Sequence, residues 1–371
     1  MKKILVVVSF ALVALMFLVG YIIGIRDNTK SITNPILEAI APKIISKLEG
    51  NPQTLDTLLS CSNKDNCTNE TSEPPYQWLR YAQYYYDKAF KQTIPTEEIL
   101  SDLFLYTDNI YYQRLYQYGD IIIDSQIADS KYQQKYLELF DKSIHPSYFN
   151  LIEGYSYITK SNPVGVEKLI GSQISQDKNN GVIVMDYSTN AVAAANAYLM
   201  TEDVKYLNAL NNYLNLISLV YYFDGVSTTA IENSPKFSAC YSLLATAKAF
   251  SVTQDKQYLQ LSDDMILGTN NYLQQLYLLV PDKIELFSTN PMNVLPCLDA
   301  LNMLEVYDLE NSPIYTNTYS TIIEFLINNK IINTTKDSES YGMMNISDKL
   351  DINSTAWLVK ILSENIINNG K

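Results

Sequence analysis

Histidine is nearly absent from this chain: His145 is the single one in 371 residues. That excludes metal sites built on several histidines. A catalytic triad would have to rely on this one residue, and no Gly-x-Ser-x-Gly elbow accompanies it. In the stretch Ser143 to Ser147 it reads as a loop residue. Glycine (12) and proline (13) are also scarce, too scarce for an all-β chain with its many tight turns. Basic residues are outnumbered, 27 Lys and Arg against 40 Asp and Glu, for a net charge of −13. An acidic surface repels phosphate backbones, so nucleic acid is excluded as a partner. No residue pattern calls for a cofactor or a metal.

What the chain does have is apolar mass and tyrosine. The hydrophobic fraction of 47% is enough to bury a real core. Thirty tyrosines each offer a flat apolar face and a polar tip, which suits sugar stacking or interfaces, though a compositional habit of the source explains the number equally simply.

The longest apolar run, Ile4–Ile25, follows Met1-Lys2-Lys3 and ends at Arg26-Asp27. Its 22 residues would span about 33 Å as a helix, enough for the hydrocarbon core of a bilayer. No small-x-small cleavage site and no lipobox cysteine follows, so residues 1–26 read as an uncleaved signal anchor. The two lysines keep the N-terminus cytoplasmic, which places the rest of the chain outside. Residues 27–75 are expected to form an extracytoplasmic stalk, with a short amphipathic helix from Pro35 to Leu48. Within it, Cys61 and Cys67 bracket a polar loop and predict a small disulfide, since two thiols without a nearby histidine make an incomplete zinc site. The sequons at Asn66, Asn69, Asn333 and Asn345 would then be open to glycans; a fifth, at Asn353, doubles as a helix cap.

From Tyr76 to the C-terminus the pattern is helix after helix, with segments expected at Tyr76–Phe90, Thr96–Tyr116 and Ile121–Phe140. Thr96 before Glu97 and Glu98 is a candidate cap. Further on, one helical hairpin is written twice. Ala193, Thr201, Asp203, Tyr206 and Leu207 recur as Ala245, Thr253, Asp255, Tyr258 and Leu259, each 52 residues on. A more diverged copy runs from Cys297 to Tyr315, displaced by 57 from Cys240 and Tyr258, and a half-copy starts at Asn353. Such repeats predict an all-α array of about six or seven hairpins, better suited to a closed ring of inner and outer helices than to an open solenoid.

The small-residue helix, the Thr-x-Asp-x-x-Tyr-Leu turn and the following helix resemble the α/α toroids of the six-hairpin glycosidase superfamily. Ala193–Leu207 and Ala245–Leu259 carry the resemblance, and Asp299–Tyr315 carries it more loosely. It implies an α/α toroid over residues 76–371 and a ligand funnel where loops lead into the inner helices. A carbohydrate ligand at the cell surface follows, with glycoside-hydrolase-like chemistry if the protein is an enzyme. Three loops reach that funnel. They contain Asp186 with Tyr187, then Tyr222, Phe223, Asp224 and Glu232, and finally residues 285–291. Glycoside hydrolysis needs a pair of carboxyls, so Asp186, Glu232 and Asp224 are the candidate acids and bases, and Tyr187, Tyr222 and Phe223 the stacking surfaces. Each has a plain structural reading beside the functional one: Asp186 next to Ser188 as a helix-start charge, the others as solvated loop residues. The alternative for the whole domain is a non-catalytic envelope scaffold or protein-interaction module. Cys240 and Cys297 hold the same repeat position, so they are neighbours, either bonded or packed as two thiols.

Overall fold

The computed structural model describes residues 35–41, 75–105, 115–126, 131–143, 180–223, 238–259, 294–335, 341–346 and 349–369. These residues are all-α apart from one two-residue antiparallel pair. The helices are α1 (35–41), α2 (Pro75–Ala89), α3 (Thr96–Leu105), α4 (Leu115–Asp124), α5 (Lys131–Ser143), α6 (Asn180–Thr201), α7 (Val204–Phe223), α8 (Ser238–Thr253), α9 (Leu295–Tyr307), α10 (Ser312–Asn328) and α11 (Ile352–Asn369). Strands β1 (Asn345–Ile346) and β2 (Lys349–Leu350) pair just before α11.

Six helices pack in a closed cycle: α2 on α4, α4 on α6, α6 on α8, α8 on α9, α9 on α11, and α11 back on α2. The others lie outside it. α3 packs on α2 and α4, α5 on α4 and α6, α7 chiefly on α6, and α10 on α9. Composition explains the inner layer. A helix with neighbours on every side needs apolar residues all round, and small ones where those neighbours come close. In α6, Ala191, Ala193, Ala194, Ala195 and Ala197 are buried, and in α8, Ala245, Ala247 and Ala249. Gly119 serves the same end in α4, because a Cβ there would stand 2.7 Å from Asn196 Nδ2 and 2.9 Å from Tyr136 Cζ.

The repeat read from the sequence is a repeat of geometry. Thr201 Oγ1 donates to Ala197 O at 2.8 Å and Thr253 Oγ1 to Ala249 O at 2.8 Å. The same hydroxyls accept from Asp203 N and Asp255 N, each at 3.2 Å. Asp203 and Asp255 then cap the following helical turn, accepting from Lys205 N at 2.9 Å and Gln257 N at 3.0 Å. The residue between Thr and Asp takes the left-handed conformation, Glu202 at φ 55° and Gln254 at φ 57°. In the third copy Glu310 stands where threonine would be, and the turn is built differently. There Asp308 accepts from Tyr315 OH at 2.6 Å and from Asn311 Nδ2 at 2.8 Å.

Left-handed backbone costs an L-residue roughly 1–2 kcal/mol that glycine escapes. Glu202→Gly and Gln254→Gly are each expected to stabilise the fold by about 0.5–1 kcal/mol, after glycine's extra unfolded-state entropy is subtracted. An unfolding midpoint unchanged or lowered in both variants would count against the turn geometry.

One expected helix is shorter than the sequence suggested: Ile121–Phe140 is divided between α4 and α5. Of Thr96–Tyr116, residues 96–105 are in α3 and 115–116 in α4, and the residues between lie outside the described ones. Apolar spacing runs on through Tyr118, Ile121 and Ile122, while the stop after α4 is Gln126 at φ 53°, not a glycine or proline that would announce a break. Thr96 does begin α3, with Glu97 and Glu98 in its first turn. The helix expected from Asn353 is α11, capped two residues earlier by Asp351, whose carboxylate accepts from Asn353 N at 3.1 Å and from the Ser354 hydroxyl.

Helix α1 falls inside the segment expected to be a stalk. Its Ile36, Leu37, Ile40 and Ala41 are nonetheless buried in the same apolar core as the ring, so this part of the segment belongs to the domain. Among the described residues no helix is long and apolar enough to cross a membrane. The expected anchor, Ile4–Ile25, lies outside them.

Candidate functional site

Each helix of the cycle sends at least one polar or aromatic side chain to a shared network at its centre. From α4, Asp120 accepts from Lys248 Nζ of α8 at 2.9 Å, Asn196 Nδ2 of α6 at 3.0 Å and Tyr81 OH of α2 at 3.2 Å. From α9, Asp299 accepts from Lys360 Nζ at 2.5 Å and Trp357 Nε1 at 3.1 Å, both on α11. Lys360 also pairs with Glu364 at 2.7 Å, one turn further along its own helix. Tyr81 and Tyr85 join the halves. The Lys360 ammonium lies 5.7 and 5.2 Å from their ring centroids, while the Tyr81 hydroxyl is held by Asp120.

Exposure grades across the network. The Lys360 and Asp299 side chains are 3% exposed, Lys248 and Asp120 12% and 15%, and Glu364 22%. Three carboxyls face two ammonium groups, one formal negative charge too many for a buried cluster. Burial, with Asp299 and Asp120 nearby, pushes the Glu364 carboxyl up to about 8 despite the Lys360 ammonium. Burial alone would lower Lys360, but Asp299, Glu364 and Asp120 outweigh it and hold its ammonium above the ordinary lysine value. Burial, then Asp120, raises the Tyr81 hydroxyl. The network therefore contains one carboxyl, Glu364, that keeps its proton near neutral pH, as a proton donor must.

Glu364 also gives the protein a pH signature. Its folded pKa is raised, so the native chain binds a proton that the unfolded chain has already released. Stability should fall as pH rises from about 4.5 to about 8 and level off above that. In Glu364→Gln the fall across this window should flatten. Melting temperatures measured from pH 5 to 9 that fall equally in both proteins would refute the assignment.

The residues expected from sequence are placed differently. Asp186 and Tyr187 are in the first third of α6, not in a loop before it. At 1.5 Å per residue, the ten residues from Asp186 to Asn196 put Asp186 about 15 Å along the helix from the network; its side chain lies outside the described residues. Tyr187 is half-buried, its ring centroid 6.4 Å from that of Tyr213 on α7, so this ring is engaged in packing an inner helix to an outer one. Tyr222 and Phe223 end α7, with their side chains undescribed. Asp224, Glu232, residues 285–291, His145, Cys61, Cys67, Asn66 and Asn69 fall outside the described residues. Asn333 is half-buried and accepts from Thr335 N at 2.9 Å, Asn345 is half-buried in β1, and Asn353 is buried. Cys240 and Cys297 are bonded, linking α8 to α9.

Sequence reasoning missed Asp120, Lys248, Asp299, Lys360 and Glu364. A signal was present: Lys248, Asp299 and Lys360 are lone charges with small or apolar residues immediately on both sides. Such a charge inside an inner helix must find a partner across the ring. Asn196 and Lys248 are moreover 52 residues apart, the same position of successive repeats. No protein-family model, curated protein or solved structure matches the chain.

Proposed function

We propose that this chain is a membrane-anchored, extracytoplasmic α/α toroid of about six hairpins that binds, and through carboxyl chemistry cleaves, a glycan at the cell surface. The observation that carries the reading is the centre of the closed cycle. Helices packed for stability alone would converge on apolar side chains, whereas these converge on five ionisable groups. Such a polar centre suits a hydroxyl-rich ligand. Asp186 lies toward the N-terminal end of α6. With Asp224 or Glu232 it would supply the carboxyl pair that glycoside hydrolysis requires. The Cys240–Cys297 bond supports a compartment outside the cytosol, where disulfides persist. Anchoring through residues 4–25 completes the reading.

One observation favours the second reading, a non-catalytic envelope scaffold: all five ionisable groups are partnered within the network, as a polar cluster that only holds helices together would be. A glycan array probed with the full chain and with Asp186→Asn, followed for binding and for turnover, separates the two. The hydrolase reading expects binding in both proteins and turnover lost in the variant. Binding without turnover leaves a recognition module. No binding to any glycan would discard the carbohydrate reading and leave the scaffold.

A further inference from the structure

The inner helices end together. Cys240 and Cys297, which are bonded, are each the third residue of their helices, and Lys256 and Glu310, 3.8 Å apart, each stand three residues past the helix end. α8 and α9 are therefore parallel. Asp299 and then Asn302 of α9 meet Lys360 and then Asn365 of α11. Tyr81 and then Tyr84 of α2 likewise meet Asp120 and then Asp124 of α4. Gln133, near the start of α5, donates at 2.9 Å to Met200 O, near the end of α6. The short turns from inner to outer helices thus gather at one end of the ring.

All seven of the large apolar side chains exposed among the described residues are at this end. Phe90 follows α2, and Leu199 and Val204 stand on either side of the α6–α7 turn. The other four, Val306, Tyr307, Leu309 and Ile314, surround the α9–α10 turn, with Leu309 at its tip 77% exposed. Apolar side chains scattered singly over a surface need no explanation, but four on one turn form a patch that gains by being covered.

The charges beside this patch say what covers it. A nucleic acid or an anionic membrane would need lysines in excess, and a basic partner would need carboxylates in excess. The patch is bordered instead by one of each, Lys256 and Glu310, both 80% exposed. Asp255 next to them is engaged by Gln257, whose N and Nε2 donate to it at 3.0 and 2.8 Å. A lysine and a glutamate side by side make a surface complementary to itself. A two-fold axis beside the pair sets the lysine of each copy against the glutamate of the other, and brings the two apolar patches together. Inner and outer helices about 10 Å apart give an end roughly 40 Å across, wide enough for the ~800 Å² that each partner of a stable dimer buries.

We propose that two copies of this chain dock through the turn end of the ring, with Tyr307, Leu309 and Ile314 at the centre and Lys256 of each copy facing Glu310 of the other. The proposal depends neither on the anchor nor on a carbohydrate ligand.

The test is sedimentation velocity of the full chain in a mild detergent, from nanomolar to tens of micromolar. The parent should dimerise. Leu309→Glu places a charge on a side chain that the fold leaves exposed, so its melting temperature should be unchanged while dimerisation weakens at least tenfold. Lys256→Glu and Glu310→Lys should each weaken it several-fold. Mixed in equal amounts, these two variants should regain the loss, because only the mixed dimer has opposite charges at both contacts, whereas the pair within each chain stays like-charged. A parent that remains monomeric throughout would overturn the proposal. If a polarity-sensitive dye at position 309 of that monomer then shifts on adding phosphatidylcholine vesicles, the patch belongs to a bilayer surface. Dimers that Leu309→Glu does not weaken would place the association elsewhere in the chain, and a mixture no better than its components would refute the two-fold pairing.

Discussion

Asp299→Ala is expected to cost about 3–5 kcal/mol of stability, the largest effect of any single substitution in the ring. The Asp299 side chain is 3% exposed and receives both the Lys360 ammonium and the Trp357 indole N–H. Removing it takes a hydrogen-bond partner from a buried donor and leaves the buried Lys360 ammonium with Glu364 as its one carboxyl partner in the network. For a domain of this size the loss should lower the melting temperature on the order of 10 °C. A second substitution makes the argument specific. In Asp299→Ala/Lys360→Met the under-paired buried ammonium is gone and apolar volume takes its place, so much of the loss should be recovered. Thermal or urea unfolding of the two variants measures both steps. A single variant within 1 kcal/mol of the parent, or a double variant no better than the single, would show that the network does not hold the ring.

Cutting the link between α8 and α9 should cost nearly as much. Cys240 and Cys297 close a loop with a sequence separation of 57. By the chain-entropy argument a cross-link of that span restricts the unfolded chain by about 4 kcal/mol. Cys240→Ala/Cys297→Ala should lower the unfolding free energy by an amount of that order, and a reducing agent should have little further effect on this pair. The double variant is the better comparison, because reductant would also open any bond between Cys61 and Cys67. Equal stability of parent and variant under oxidising conditions would mean that the two sulfurs are packed together without being bonded.

How much of this was legible depended on how local the cause was. The hairpin turn was legible, because Thr201 and Asp203 act on backbone atoms within a few residues and Thr253 and Asp255 repeat them. The adjacency of Cys240 and Cys297 was legible too, since equal repeat positions on successive inner helices face the same way. The end of α4 was not, because a glutamine in left-handed backbone leaves no mark that a scan for glycine or proline would find. Nor was the burial of α1, whose apolar stripe at Ile36 and Ile40 says that it packs but not against what.

The candidate site divides along the same line. Loop carboxyls such as Asp186 and Glu232 drew notice because the resemblance pointed to loops, whereas the charges that meet stand in mid-helix. Lys248 and Asp120 are 128 residues apart in sequence, and Lys360 and Asp299 are 61.

By itself, then, the sequence determined the helical class, the hairpin unit and its turn, and the absence of histidine-based metal chemistry, because each follows from composition or from contacts spanning a few residues. Only the tertiary structure decided that α11 returns to α2 and that α1 is buried in the same core. It alone brought three carboxyls and two ammonium groups to one point at the centre. Those outcomes depend on which faces of distant helices meet, and a helix shows in its own residues that a charge needs a partner without showing which helix will supply it.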